Sequence, residues 1–125
     1  MKAYYSTATG EILSIASGPD LVSADPNYAY VDYSYDRADM WKYEVVNGAV
    51  VLKAQSNIDA LENDFIWAKF RRQRDALLAN TDWTQSPDSP LTDDQKASWR
   101  SYRQALRDLP ANTTDPANPI WPSKP

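Results

Sequence analysis

Residues 42–79 read KYEVVNGAVVLKAQSNIDALENDFIWAKFRRQRDALLA, and within this stretch strand patterning gives way to helix patterning. The dipeptide Asn47-Gly48 separates two runs rich in Val. Asn-Gly is the dipeptide that best tolerates the two positive φ angles of a type I′ turn. We therefore predict a β-hairpin, with strands at 42–46 and 49–53.

The second half of this stretch predicts a long helix, because residues 58–79 contain neither Gly nor Pro. Ser56 or Asn57 is a suitable cap at its start, and Asp59 favours its positive end. Apolar residues spaced three and four apart form one face, which further apolar residues widen. The face is Ile58, Leu61, Phe65 and Ala68, and the residues that widen it are Ile66, Trp67, Phe70, Leu77 and Leu78. Such breadth predicts contact with a second surface, such as the sheet, a sister chain or a partner.

The residues before the hairpin predict further strands. Runs at 2–6 and 11–16 flank the turn dipeptide Thr9-Gly10, Gly18-Pro19-Asp20 breaks the pattern, and 28–33 predicts another strand. We expect four or five short antiparallel strands in one small sheet, with one face that a helix or a partner covers.

The residues after the long helix predict a second helix. Thr92 and Gln95 form a capping-box pattern, so this helix is expected from about Asp93 to Leu109, ending before or at Pro110. The linker at 81–91 would make the two helices a hairpin. One face is apolar and an adjacent stripe is basic. These are Trp99, Tyr102, Leu106 and Leu109, and Arg100, Arg103 and Arg107.

The last sixteen residues, 110–125, contain five prolines and predict an irregular tail, in which Ile120 and Trp121 are expected to dock. The predicted fold class is therefore α+β. A small tyrosine-rich antiparallel β module at 1–56 precedes a domain at 57–125, formed by the helical hairpin and the proline-rich tail.

The composition of the 125-residue chain excludes many functions. It has no His and no Cys, and its three Gly are too far apart for a phosphate-binding loop. Catalytic triads, thiolate chemistry and His- or Cys-based metal sites are excluded. Its 5 Trp, 8 Tyr and 2 Phe suit a binding protein better than an enzyme. We predict no enzymatic activity and no cofactor.

The charge and hydropathy patterns restrict the partners. The net charge of −4 argues against nucleic-acid binding. No apolar run approaches the length of a membrane span, and the N-terminal residues lack a signal-peptide pattern. We therefore expect no nucleic-acid partner, no membrane partner and a cytosolic location where the protein is made.

The acidic residues are the remaining candidates for catalytic or metal-binding groups. Glu11, Glu44 and Glu62 lie among ordinary surface charges. Asp32, Asp36 and Asp39 are neighbours in the sequence but lack the spacing and the turn glycine of a calcium loop. We predict no catalytic residue and no metal site.

The aromatic and basic side chains leave alternatives open. Trp83, Trp99, Tyr102 and Trp121 either form a small core that joins the linker, the second helix and the tail, or act as exposed anchors for a partner. If the ring of Trp83 or Trp99 is part of a core, its replacement by Ala destabilises the helical part by about 3–5 kcal/mol. The arginines are either a solvated face or a protein-binding face. A third alternative assigns sugar binding to the tyrosine-rich module, tested at Tyr28, Tyr30 and Tyr33.

A resemblance to a known family rests on residues in fixed order over the C-terminal region. The elements are Arg74-Asp75, Leu77-Leu78, Thr81-Asp82-Trp83, Pro90-Leu91-Thr92, Trp99, Tyr102-Arg103, Leu106-Arg107-Asp108, Trp121-Pro122 and Lys124-Pro125. This pattern resembles the phage tail assembly chaperone family, also called tail fibre assembly proteins. The resemblance covers under half of the chain, and nothing residue-specific extends to the β module.

The resemblance implies a non-enzymatic protein that binds a phage tail fibre or receptor-binding protein and assists its folding, trimerisation or attachment. The expected partner is a trimer, with three copies of this chain as one arrangement. The expected location is the host cytoplasm during assembly. The alternative is a permanent structural subunit retained in the virion tail fibre. The predicted partner-binding or motif-core residues are Trp67, Phe70, Arg74, Trp83, Trp99, Tyr102, Arg103, Arg107 and Trp121.

Overall fold

The computed structural model describes residues 1–18 and 21–125. Pro19 and Asp20, two of the three residues of the predicted break after the second strand, lie outside the described residues. The chain divides into two compact units, Met1–Asp59 and Ala60–Pro125. The first contains all the strands and the second most of the helical residues, so the predicted α+β class is confirmed.

The described residues of the first unit form five antiparallel strands, which lie in two sheets rather than the one that we expected. The three-stranded sheet has the order β2-β1-β3, and the two-stranded sheet is β4-β5. Their bounds are Lys2–Ser6 for β1, Ile12–Ala16 for β2, Tyr28–Asp32 for β3, Tyr43–Val46 for β4 and Ala49–Leu52 for β5.

The two sheets are joined where the β1–β2 turn meets β4. The Val45 amide donates to the Gly10 carbonyl at 2.8 Å, and Glu11 forms a single bridge with Glu44. Gly10 is buried and has a φ of 74°, so it occupies the left-handed region that favours glycine. Strand patterning does not reveal this close backbone contact between the two sheets.

The predicted hairpin turn is confirmed. Asn47 has a φ of 52° and Gly48 a φ of 77°, the two positive angles that a type I′ turn requires. Val45 pairs with Val50 and Val46 with Ala49 across the turn, which fixes the register of β4 and β5.

The core of the first unit lies between its two sheets. Its buried members come from β1, β2 and β4 and from Tyr33, which directly follows β3, and partly buried residues include Met40 in a 3-10 helix over Arg37–Lys42. The buried residues are Ala3, Ile12, Ile15, Tyr33 and Val45. The β4–β5 hairpin therefore supplies cover for the three-stranded sheet from within the same unit.

Helix α1 runs from Gln55 to Ala79, and its start differs from the prediction. The Ala54 carbonyl accepts from the amides of Asn57 and Ile58, so Ser56 and Asn57 lie inside the first turn and do not cap it. Asp59 instead accepts from the Gln55 side chain at 2.8 Å. Turn formation at Ala54 therefore begins the helix without a capping side chain.

Helix α2 runs from Asp93 to Asn112 and begins with the predicted capping box. The Thr92 hydroxyl accepts from the Gln95 amide, and the Gln95 side chain accepts from the Thr92 amide. The expected end at Pro110 is wrong, because the helix continues through this residue. A proline in the last turn removes only one hydrogen bond, and the Thr113 hydroxyl donates to the Leu109 carbonyl at 2.6 Å.

The segments beside α2 are irregular but ordered by hydrogen bonds. A 3-10 helix over Asp82–Gln85 lies within the predicted linker. After α2, Asp115 accepts from the backbone and side chain of Asn118 and from the Ala117 amide, which forms a turn. The expected docking of Ile120 and Trp121 is half correct: Trp121 is half-buried and Ile120 is 87% exposed. Among the described residues, no helix has the length and apolar character needed to cross a membrane.

Candidate protein-binding site

An aromatic column joins α1 to the C-terminal tail. Phe70 is only 1% exposed, and its ring stacks on that of Trp121 with centroids 5.4 Å apart. Trp67 meets Phe70 edge-on, and the Arg71 guanidinium lies over the Trp67 ring. The structure thus brings three predicted site residues, Trp67, Phe70 and Trp121, into direct contact. Trp121 holds the tail against the helix.

The predicted apolar face of α1 is buried unevenly. Ile58 and Phe70 are buried, Leu61 is half-buried, and Ala68 is exposed. Phe65, a central member of the regular three-and-four pattern, keeps 51% of its surface exposed. Phe70, which lies outside the regular three-and-four pattern, is in contact with the tail residue Trp121.

A buried arginine joins α2 to the end of α1. Arg103 is 9% exposed, and its guanidinium donates to the Leu78 carbonyl, the Thr81 hydroxyl and the Asp82 carboxylate at 2.7–2.8 Å. The carbonyls that receive no helical hydrogen bond at a helix C-terminus attract a cation. Arg103 therefore stabilises the junction and is not part of a solvated basic face.

The remaining arginines of the candidate set lie nearer the surface. Arg74 is half-buried and pairs with Asp75 at 2.7 Å. Arg107 is exposed and contacts Gln104 at 3.5 Å. The residues of the predicted basic stripe therefore differ in exposure: Arg100 and Arg107 are exposed, whereas Arg103 between them is buried.

The tryptophans of the linker and α2 form a partly exposed pair. The ring centroids of Trp83 and Trp99 are 6.3 Å apart, and Trp99 meets Tyr102 edge-on at 5.7 Å. Tyr102 is 5% exposed, whereas Trp83 is 52% exposed. Tyr102 is therefore a core residue, whereas Trp83 presents a large apolar surface to solvent, and its role as an anchor for a partner stays a prediction.

Two recesses lie between α1 and the tail, on either side of Trp121. The first has a volume of about 310 Å³ and the second about 430 Å³, and both are lined by Gln73 and Trp121. Lys69 and Phe70 also line the first, with the tail prolines. The second is lined by Ala76, Leu77, Tyr102, Pro122 and Lys124. We call the two recesses together the tail groove.

The acidic residues considered for calcium are used separately. Asp32 pairs with Lys2 at 2.7 Å, and this contact lowers the pKa of the Asp32 carboxyl. Asp36 accepts from the Ala38 amide, and Asp39 pairs with Lys42. Within residues 1–18 and 21–125, no three His, Cys, Asp or Glu side chains are grouped so that they could hold a metal ion.

The tyrosines of the first unit occupy two environments. Tyr4 packs between Tyr28 and Tyr30, with centroids 5.3 and 5.0 Å away, and all three are half-buried. Tyr33 is 2% exposed, and its hydroxyl donates to the Asp36 carbonyl. Burial raises the pKa of the Tyr33 hydroxyl. Tyr33 is therefore a core residue and unsuitable for testing sugar binding.

Sequence reasoning missed the buried polar residues of the linker. Thr84 is fully buried and donates to the Thr81 carbonyl at 2.6 Å, while Thr81 donates to carbonyls at the end of α1. Gln85 donates to the Lys96 carbonyl in α2. The available signal was the motif Thr81-Asp82-Trp83, since Thr and Asp after a helix provide groups for its unsatisfied backbone.

Comparison with known families bears on this same region. Residues 67–125 match the family model described as phage tail assembly chaperone protein. The predicted resemblance over the C-terminal helices and tail is thereby confirmed. A search of curated proteins and a search of solved structures find no match to this chain.

The matched segment begins at Trp67 and includes the aromatic column, the Arg103 junction and the tail groove. This segment, just under half of the chain, is therefore similar to the phage tail assembly chaperone family.

Proposed function

We propose that this protein is a non-enzymatic tail fibre assembly chaperone that binds the fibre protein and assists its folding, trimerisation or attachment. The observation that supports the proposal most strongly is the family match over residues 67–125. All the matched residues lie in one compact unit, Ala60–Pro125. The partner-binding surface is therefore sought in this unit.

The proposed mechanism is reversible cover of apolar surface on an unassembled fibre chain. A fibre that is stable as a trimer exposes apolar surface while its subunits are separate, and such surface aggregates. Trp83 and its neighbour Trp99 offer aromatic area of the kind that dominates protein interfaces. Formation of the trimer would remove the apolar surface to which these rings bind.

A binding function also agrees with the available chemistry. The chain has neither His nor Cys, and the side chains of Asp32, Asp36 and Asp39 are used in ion pairs and a turn. Assistance by binding needs only a surface that prefers the unassembled client over the assembled one. We therefore propose that no bond in the client is made or broken.

The test is coexpression with a tail fibre protein of the same phage, the proposed client. We expect more soluble, trimeric fibre in the presence of this protein than in its absence, measured by size-exclusion chromatography with light scattering. The control is a chain in which both Trp83 and Trp99 are replaced by Ala, after its fold is checked by circular dichroism. An equal yield of soluble trimer without this protein would overturn the proposal.

A second experiment separates a chaperone from a permanent fibre subunit. A chaperone that leaves is absent from purified virions, whereas a subunit is present in fixed proportion to the fibre. Quantitative mass spectrometry of virions measures this ratio directly. A ratio of one copy to each fibre chain would show that the protein is a permanent subunit of the fibre and not a transient chaperone.

A further inference from the structure

We propose that the tail groove binds an extended apolar segment of the client that has a carboxylate on each side. The inference rests on the proposed function and assigns it a surface and a partner chemistry. The groove is formed by α1, Tyr102 of α2 and the C-terminal tail, so it lies within the unit Ala60–Pro125.

The length of the groove fits a short extended peptide. Its lining on α1 extends from Ile66 to Leu77, about 16 Å at 1.5 Å per helical residue. About five residues of an extended chain cover this length at roughly 3.3 Å each. Trp121 lines both recesses, so side chains of one bound peptide would lie on both sides of its ring.

Most residues that line the groove are apolar, and the polar Gln73 lines both recesses. Leu77 and Trp121 are half-buried and Ala76 is exposed, so their apolar surface is accessible. Phe70 and Tyr102 are buried and form a fixed floor. Apolar side chains of a peptide gain free energy by leaving water for such a surface.

Each recess of the groove contains one lysine. Lys69 lines one recess and Lys124 the other, and both side chains are exposed. In the part of the chain that the structure describes, neither lysine forms an ion pair, whereas Arg74 and Arg103 each pair with an aspartate. Two ammonium groups in opposite recesses are complementary to two carboxylates that flank an apolar segment.

The experiment uses short overlapping peptides that cover the tail fibre protein used in the coexpression test, with binding measured by fluorescence anisotropy. We expect the wild type to select peptides with an apolar centre and acidic residues on both sides. The double variant Lys69→Glu/Lys124→Glu should bind them about tenfold or more weakly, because attraction becomes repulsion at both ends.

Two controls make the charge argument specific. Arg100→Glu makes the same change at an exposed position of α2 outside the groove, and its binding should stay within about twofold of the wild type. Peptides whose acidic residues are replaced by Lys should bind the double variant better than the wild type. Circular dichroism and melting should be the same for all variants, since both lysines are exposed.

The outcomes separate this inference from the proposed function. Equal peptide binding by the wild type and the double variant, or no peptide binding by a wild type that still raises the trimer yield, would overturn the inference alone. A change of oligomeric state in the double variant with unchanged peptide binding would assign the groove to a second copy of this chain. A wild type that fails in coexpression would remove the proposed function and the inference together.

Discussion

At the scale of single residues, Arg103 differs from the two arginines that share its side of α2. Arg100 and Arg107 are exposed, whereas Arg103 reaches three acceptors at the end of α1 and in the linker. A guanidinium has several donors in a fixed plane, so it can satisfy a carbonyl, a hydroxyl and a carboxylate at once. Its position in the sequence is the same as in a basic stripe, and only the fold distinguishes it.

We expect Arg103→Ala to lower the free energy of unfolding of the helical unit by about 2–4 kcal/mol, because it leaves buried acceptors without a donor. Urea unfolding followed by circular dichroism measures the change. Arg107→Ala is the matched control and should change stability by less than about 0.5 kcal/mol, since Arg107 is exposed. Similar losses in the two variants would show that the Arg103 contacts do not stabilise the unit.

The two neighbouring tryptophans should respond differently to truncation. Trp83 is 52% exposed, so Trp83→Ala should cost about 1 kcal/mol, below the expectation for a core ring. Trp99 packs between Trp83 and Tyr102, and Trp99→Ala should cost about 3 kcal/mol.

Thermal melting of the two variants, read beside fibre solubility in coexpression, checks this expectation. A Trp83→Ala variant that melts normally and loses its effect on the fibre would identify an anchor for the partner. A large loss of stability at Trp83 would instead make this ring part of the core.

At the scale of elements, the junction of the two sheets depends on the turn between β1 and β2. Gly10 accepts from the Val45 amide while its own amide donates to the Ser6 carbonyl. A Cβ atom at Gly10 would overlap the Val45 carbonyl, whereas a Cβ atom at Gly48 would meet open space. The two glycines have nearly equal positive φ angles, 74° and 77°, so they form a matched pair.

We expect Gly48→Ala to lower stability by about 1 kcal/mol, the cost of a left-handed conformation for alanine. Gly10→Ala should cost about 3 kcal/mol or more, because the overlap with β4 adds to the same conformational cost. Urea unfolding of the two variants measures the difference. Equal losses would mean that β4 moves away from Gly10 without cost.

The elements that the sequence predicted are those whose signals are local. The Asn47-Gly48 turn and the Thr92 capping box each depend on residues within three or four positions, and the structure contains both. The start of α1 differs from the prediction, and so does the set of α1 residues that are buried. The burial differs because Phe70 packs against the tail, which is distant in the sequence. The helix continues past Pro110 because a proline disrupts the interior of a helix much more than its last turn.

The candidate site shows the same distinction. The aromatic residues were found by type and by resemblance, whereas the buried Thr84 and the Arg103 acceptors required coordinates. A hydroxyl that satisfies a helix end has no periodic signal in a sequence. The tail groove likewise exists only because the tail returns to α1, from which it is distant in the sequence.

At the scale of the whole molecule, the net charge is distributed unequally between the two units. Residues 1–59 contain eight acidic and four basic side chains, and residues 60–125 contain nine of each. The net charge of −4 therefore belongs entirely to the first unit. The helical unit is neutral in sum, so local charges such as Lys69 and Lys124 decide which peptides it attracts.

We propose that the helical region is a domain that folds without the β module, and a fragment of residues 54–125 tests this. The fragment starts before α1 because a cut between residues 56 and 57 would fall inside this helix. The Arg103 junction, the aromatic column and the core residue Leu106 are all retained. We expect cooperative thermal unfolding and a near-ultraviolet tryptophan spectrum. A broad, non-cooperative transition would show that the β module is required.

Several pairings in each unit join residues that are close in the sequence, which affects when the chain can fold during its synthesis. β1 pairs with β2 and β4 with β5 across short turns, and Arg103 reaches partners only 21 to 25 residues earlier in the chain. Small domains with such contacts fold within milliseconds to seconds, whereas synthesis of 125 residues takes roughly 6–25 s at ribosomal rates. The β module would be complete while the helices are still being translated. The finished protein would then be folded soon after it leaves the ribosome.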